Sequence, residues 1–123
     1  MKKLCIFTAV LFSHITMSAG YEVLVHNMTD GDIEVIVSEE GSMWHTKPIT
    51  IHAGSSGTTK TDAGYCVGKI VVKSMSGSAQ GQVSSKSPGL MHSCKNFEAW
   101  AQAPTVGGQK AVLSVDIQPL IGE

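Results

Sequence analysis

The chain has 123 residues, nine basic residues that are all lysine, ten acidic residues and a formal net charge of −1 at pH 7. Nucleic-acid binding normally needs a basic face on which arginine contacts phosphate and guanine, so this composition argues against a nucleic-acid partner. It argues equally against a polybasic patch for anionic membranes.

The start of the chain, residues 1–20, has the features of a secretory signal peptide: two lysines, a short apolar run and small residues at its end. The apolar run is shorter than the about 20 residues that a membrane-spanning helix needs. Ser18 and Gly20 satisfy the small-x-small requirement, so we predict cleavage after Gly20, with Ala19 as the alternative. The mature chain, 21–123, is then one exported domain, periplasmic or secreted, without a transmembrane segment.

Two segments near the start of the mature chain, 21–26 and 32–38, alternate between apolar and polar residues as half-buried strands do. Between them lies Asp30-Gly31, which is typical of a two-residue hairpin because glycine accepts the positive φ of a type I′ turn. The sequence therefore predicts that the first two strands pair antiparallel. Their inward-facing residues are predicted to be Tyr21, Val23, Val25, Ile33, Val35 and Val37.

Later segments show the same alternation, at 47–53, 66–73, 96–102 and 111–118. Pro48 lacks an N–H, so it belongs at the start of a strand or on an edge. The Ser-, Gly- and Gln-rich region 74–89 is either a loop or holds a weak edge strand over 79–85. The predicted inward-facing residues of these strands include Ile49, Ile51, Ala53, Cys66, Ile70, Val72, Leu113, Val115 and Ile117.

Cys66 and Cys94 are the two cysteines of the mature chain, because Cys5 leaves with the signal peptide. An even pair in an oxidising compartment predicts a disulfide. Closing a loop of this length stabilises a small domain by about 3 kcal/mol. Two free thiols or a metal-binding pair are the alternatives.

About seven short strands, with no sustained helical periodicity, predict a small antiparallel β-sandwich or barrel. The order of motifs resembles that of many bacterial immunoglobulin-like sandwiches: Val25-His26-Asn27, Thr29-Asp30-Gly31, Ile33 to Val37, Trp44 and Ile51 to Gly54. This resemblance implies an architecture and no particular family.

Catalytic motifs are missing from the sequence. No Gly-x-Ser-x-Gly elbow, His-Glu-x-x-His helix, paired Cys-x-x-Cys or phosphate-binding glycine loop occurs. A nucleophilic pair of His92 and Cys94 would need an unpaired thiol. We therefore expect no enzymatic activity, with a small hydrolase carrying an unrecognised site as an alternative.

Histidine and methionine occur close together at His26-Asn27-Met28, Met43-Trp44-His45 and Met91-His92. Residues i and i+2 of a strand share a face, so His26 with Met28, and Met43 with His45, each present an imidazole and a thioether together. These are ligands that Cu(I) selects, and periplasmic copper carriers are similar in using His-x-Met pairs. We expect no cofactor, with bound copper as the alternative. Otherwise these side chains fill core gaps or lie exposed.

Trp100 is the candidate contact residue. Phe97, Ala99 and Ala101 form the more apolar face of its strand, which places Trp100 on the opposite, outer face. Exposed aromatic residues often mark contact sites, although a tryptophan also seals the end of many sandwiches. The sequence thus predicts a non-enzymatic exported binding module that recognises a protein or envelope component. Its alternatives are a periplasmic copper protein and a small secreted hydrolase.

Overall fold

The computed structural model describes residues 20–89, 94–105, 107, 109 and 111–120. The predicted signal peptide falls outside these ranges apart from Gly20, and so does the Met91-His92 pair. Within them, no helix is long and apolar enough to cross a membrane. The strands are β1 (Glu22–Asn27), β2 (Ile33–Glu39), β3 (Ile49–Ile51), β4 (Ser56–Lys60), β5 (Val67–Ser74), β6 (Val83–Lys86), β7 (Phe97–Gln102) and β8 (Ser114–Pro119).

These strands form two sheets of four strands each. Sheet A has the order β4-β1-β7-β8, and sheet B has the order β3-β2-β5-β6. Neighbouring strands are antiparallel apart from β1 and β7, which are parallel. β3 lies against β4 on one flank, and β6 lies against β8 on the other. This arrangement confirms the predicted all-β sandwich, with one strand more than expected.

The core lies between the two sheets and follows the predicted alternation closely. Phe97 is the largest fully buried side chain, and each such apolar side chain contributes about 1.5–3 kcal/mol relative to an exposed one. Ala53 was predicted to face inward, which is wrong: β3 ends at Ile51, and Ala53 is exposed in a turn whose Gly54 has a φ of 77°. The buried core residues that the alternation predicted are Val23, Val25, Ile33, Val35, Val37, Ile51, Ile70, Val72, Phe97, Ala99, Ala101, Leu113 and Val115.

The start of β5 departs from strict alternation. Val67 and Ile70 are both fully buried although their positions differ by three, an odd number that strict alternation would place on opposite faces. The reason is that the register between β2 and β5 shifts at Ser38 and Glu39. Such a bulge changes which face each residue occupies. The prediction that Cys66 shares the inward face of Ile70 is therefore wrong, because Val67 takes that place at the beginning of the strand.

The predicted disulfide is present. Cys66 and Cys94 are bonded, with their Cα atoms 4.5 Å apart. Cys66 directly precedes β5 of sheet B, and Cys94 stands shortly before β7 of sheet A. The bond therefore ties the two sheets together at one end of the sandwich.

The predicted hairpin between β1 and β2 is wrong, because these strands belong to different sheets. The segment 28–32 instead crosses from sheet A to sheet B. Gly31 does not adopt a positive φ, so it does not form a type I′ turn. Glycine is required here because the backbone of another segment lies close by: a Cβ atom at this position would lie 2.1 Å from the backbone oxygen of Ser76.

Asn27, at the end of β1, fixes this crossing with a fully buried side chain. Its amide nitrogen donates to the backbone oxygens of Gly31 at 2.8 Å and Ile51 at 2.9 Å. Its amide oxygen accepts from the backbone N–H of Thr29 at 2.9 Å and from the Thr29 hydroxyl at 2.7 Å. The side chain supplies the hydrogen bonds that a hairpin partner would otherwise have offered to the turn.

Asp30 connects the crossing to the turn before β6. Its carboxylate accepts hydrogen bonds from the hydroxyl and the backbone N–H of Ser78. The hydrogen bond from the Ser78 hydroxyl is the main reason that the pKa of Asp30 lies below its ordinary value, and the bond from the Ser78 N–H lowers it further. The turn leads into β6, which pairs with β5 at the edge of sheet B. Of the two predictions for this region, the edge strand is the one confirmed, but it begins at Val83 and not at Ala79.

Candidate functional site

The outer face of sheet A brings together side chains from three adjacent strands. His26 of β1 lies opposite Ser56 of β4 and opposite Trp100 of β7. Glu98 stands two residues before Trp100, so both side chains point to the same face of β7. We refer to Ser56, His26, Glu98 and Trp100 as the His26 cluster.

Two hydrogen bonds occupy both nitrogens of the His26 ring. The Ser56 Oγ atom lies 2.6 Å from Nδ1, and the Glu98 Oε2 atom lies 2.6 Å from Nε2. A carboxylate only accepts hydrogen bonds, whereas a neutral imidazole donates at one nitrogen and accepts at the other. His26 therefore donates its Nε2–H to Glu98, which leaves Nδ1 to accept the hydroxyl proton of Ser56.

Trp100 covers the His26 ring. The indole and imidazole are stacked, with ring centroids 5.6 Å apart and an interplanar angle of 29°. Such a pair contributes about 0.5–1.5 kcal/mol beyond the burial of area. Trp100 is half-buried on the outer face, which is the face that strand parity predicted.

Partial burial shields the polar part of the cluster as well. The side chains of His26 and Glu98 are 26% and 21% exposed. Hydrogen bonds are electrostatically stronger where water is partly excluded. The cluster is therefore a rigid, pre-organised feature of sheet A.

The charged residues around the cluster are mostly acidic. Asp116 of β8 lies opposite Trp100, and Gln118 lies opposite Glu98. At the other end of β1, Glu22 lies opposite Lys60. Because acids outnumber lysines on this face, it favours neutral or cationic partners over anionic ones.

The structure does not bring the four predicted copper ligands together. His26 and Met28 lie where β1 ends and the chain crosses to sheet B. Met43 and His45 follow β2, whose seven residues span roughly 20 Å at about 3.3 Å per residue. The two pairs thus lie at opposite ends of the sandwich, and both ring nitrogens of His26 already have partners.

Other metal sites are not evident either. In the part of the chain that the structure describes, no group of three or more His, Cys, Asp and Glu side chains could hold a metal ion. A copper site would have to use one His/Met pair alone. Met28 is 62% exposed and Met43 is 98% exposed, so both thioethers face solvent.

A second feature lies on the flank where β3 meets β4. Thr46, Lys47, Ile49, Thr59 and Lys60 line a pocket of about 410 Å³ there, together with His45 and Asp62. Beside it, the backbone N–H of Asp62 donates to Oε2 of the buried Glu39 at 2.6 Å. Oε1 of Glu39 has no hydrogen-bond partner among the residues that the structure describes.

The loop between β2 and β3 carries the other tryptophan, Trp44, which is exposed. Trp44 is 68% exposed and follows the almost fully exposed Met43. Its backbone oxygen accepts from the N–H of Glu39, which ties the loop to the end of β2. Trp44 therefore lies at the opposite end of the molecule from the His26 cluster.

Sequence analysis identified His26 and Trp100 but missed Ser56 and Glu98. These two residues lie 30 and 72 positions from His26 along the chain. Strand parity places Glu98 on the same face as Trp100, and this is the local signal from which Glu98 could have been predicted. Nothing local connects Ser56 to His26, because only the register of β1 with β4 brings them together.

Comparisons with known proteins support the fold alone. No family model matches the chain, and no curated protein matches it. The chain is similar to the NMR structure of a protein from Eubacterium rectale, with a TM-score of 0.55 and 17% sequence identity. The similarity covers 86% of this chain and 94% of the other.

Proposed function

We propose that the protein is an exported, non-enzymatic binding module that recognises a protein or envelope component through the outer face of sheet A. The observation that carries the proposal is the indole of Trp100, which is half-buried, stacked on His26 and mounted on a central strand of the sheet. Tryptophan is enriched among the residues that dominate binding energy. An aromatic side chain that is already immobilised loses little conformational entropy on binding.

The charge of the face specifies the partner further. Glu98 and Asp116 flank Trp100 on the same face. A partner surface that offers an apolar group to the indole and a basic or neutral polar group to these carboxylates would be complementary. A protein segment with lysine or arginine beside an apolar side chain has this chemistry.

Export is supported by the Cys66–Cys94 disulfide, which is a bond typical of oxidising compartments. The predicted signal peptide leads to the same proposal. In an envelope or extracellular setting, a small disulfide-bonded sandwich is suited to recognition through a sheet face.

The Trp100→Ala variant is expected to lose the specific partner, while Trp44→Ala retains it. The experiment immobilises the disulfide-bonded protein, passes envelope extract over it and quantifies the retained proteins by mass spectrometry. Removal of a central tryptophan typically costs 2 kcal/mol or more, so retention should fall by at least about tenfold.

Trp44→Ala is the matched control, because it removes an exposed indole from the opposite end of the sandwich. Both variants should still unfold in one cooperative transition, with a larger decrease in midpoint for Trp100→Ala because it also removes the stacking on His26. Equal retention by wild type and Trp100→Ala would overturn the proposal. Loss of retention with Trp44→Ala alone would also overturn it, since the contact surface would then be the loop between β2 and β3.

A further inference from the structure

We propose that Ser56 is an activated nucleophile that accepts an acyl group from an ester bound on the outer face of sheet A. The structural basis is the chain of two 2.6 Å hydrogen bonds from Ser56 through His26 to Glu98. An imidazole that accepts the proton of a serine hydroxyl, and is itself oriented by a carboxylate, is the general arrangement that activates serine. This activity goes beyond the binding function and does not rest on it.

The direction of proton transfer follows from the hydrogen bonds. Glu98 fixes the His26 tautomer with its proton on Nε2, so Nδ1 is the base that faces Ser56. Glu98 is a positioning residue, because it acts on Ser56 only through His26. The imidazolium formed when Nδ1 takes a proton is stabilised by the adjacent carboxylate.

The acylation step balances without any further reactant. The Ser56 oxygen attacks the ester carbonyl carbon while its proton moves to Nδ1 of His26. The new oxygen–carbon bond forms, the bond from that carbon to the alkoxy leaving group breaks, and His26 returns the proton to the leaving oxygen. The products are acyl-Ser56 and a free alcohol.

The position of Ser56 on an edge strand makes it accessible. Ser56 is exposed, and β4 is the outermost strand of sheet A. The backbone N–H of Asn27 donates to the oxygen of Ser55, and the N–H of Thr61 donates to the oxygen of Tyr21. Because these bonds alternate along an antiparallel pair, the intervening Ser56 turns its N–H away from β1.

This geometry also limits the reaction. The Ser56 N–H supplies one backbone donor for the developing oxyanion, and the site lies on the outer face of sheet A. Removing a single oxyanion donor from an enzyme costs about 10²–10³ in rate. We therefore expect one acylation per chain and slow release, which is covalent capture rather than turnover.

The test uses the disulfide-bonded protein and p-nitrophenyl acetate as the probe. Peptide mass spectrometry follows acetylation of Ser56 over time, with Ser85 as the internal control, because Ser85 is an exposed serine on β6 of sheet B. General-base assistance contributes about 10²–10⁴ to a rate. Ser56 should be acetylated at least about a hundredfold faster than Ser85, and Ser56→Ala should remove only its own label.

Glu98→Gln should slow Ser56 acetylation by about tenfold or more without changing the unfolding midpoint, and Glu98→Asp should recover part of the rate. Acetylation of Ser56 at the rate of Ser85 would overturn the proposal, as would an unchanged rate in Glu98→Gln. Either result leaves partner retention unaffected, since that test depends on Trp100. Conversely, failure of the retention test leaves the reactivity of Ser56 standing.

Discussion

Asn27→Ala is expected to lower the free energy of unfolding by about 3–5 kcal/mol, because it removes a buried side chain that makes four hydrogen bonds. The backbone oxygen of Ile51 and the backbone N–H of Thr29 lose the Asn27 amide inside the sandwich, whereas the Thr29 hydroxyl keeps the backbone oxygen of Gly31 as a partner. Buried polar groups left without a hydrogen bond carry the larger part of this cost. Urea unfolding followed by tryptophan fluorescence measures the change.

Thr50→Ala is a suitable control for Asn27→Ala. Thr50 is an exposed residue of the neighbouring strand β3, so its loss should change stability by less than about 0.5 kcal/mol. If Asn27→Ala were as mild as the control, the crossing between the sheets would not depend on the Asn27 amide. The same result would show that the Asn27 amide does not explain why β1 and β2 fail to form a hairpin.

The double variant Cys66→Ser, Cys94→Ser is expected to be about 3–4 kcal/mol less stable than the oxidised protein. The bond closes a loop with a sequence separation of 28 residues, so its removal increases the conformational entropy of the unfolded chain. It also frees the end of sheet B from the segment that enters β7. The measurement compares urea midpoints with and without a phosphine reductant.

Reductant should lower the midpoint of the wild type to that of the double variant and leave the variant unchanged. A wild type that is insensitive to reductant, although its thiols are shown to be free, would contradict this prediction. Asn27 lies at the other end of β1 from the disulfide. The two effects should therefore add when the variants are combined.

Much of the fold could be predicted from the sequence because burial in a sandwich alternates residue by residue. Val23, Val25, Phe97 and Ala99 are buried as their strand positions require. The prediction of a β1–β2 hairpin was wrong because Asp30-Gly31 is only a local signal. In the folded protein the buried Asn27 amide binds the backbone of the same segment and stabilises a crossing between the sheets. The prediction that Cys66 faces inward was wrong because a bulge depends on how two strands pair, which the sequence of one strand does not reveal.

The candidate site was predictable only in part, for a related reason. Parity placed Trp100 on the outer face, and this needed only the residues of β7. The partners of His26 depend on the register of β1 with β4 and β7, which brings Ser56 and Glu98 to the same ring. For the His/Met pairs, the rule that i and i+2 share a face says nothing about the distance between one pair and the next.

The central claim is that Ser56, His26, Glu98 and Trp100 form one pre-organised cluster, and the protonation of the His26 ring tests it most directly. Long-range ¹H–¹⁵N NMR spectra should show His26 as the Nε2–H tautomer. His52, whose Nδ1 atom lies 3.2 Å from Oδ1 of Asp32, provides an internal reference ring that has a different carboxylate partner. Glu98→Gln should weaken the preference of His26 without moving His52. A His26 ring that carries its proton on Nδ1, or averages between tautomers as an exposed ring does, would contradict the account.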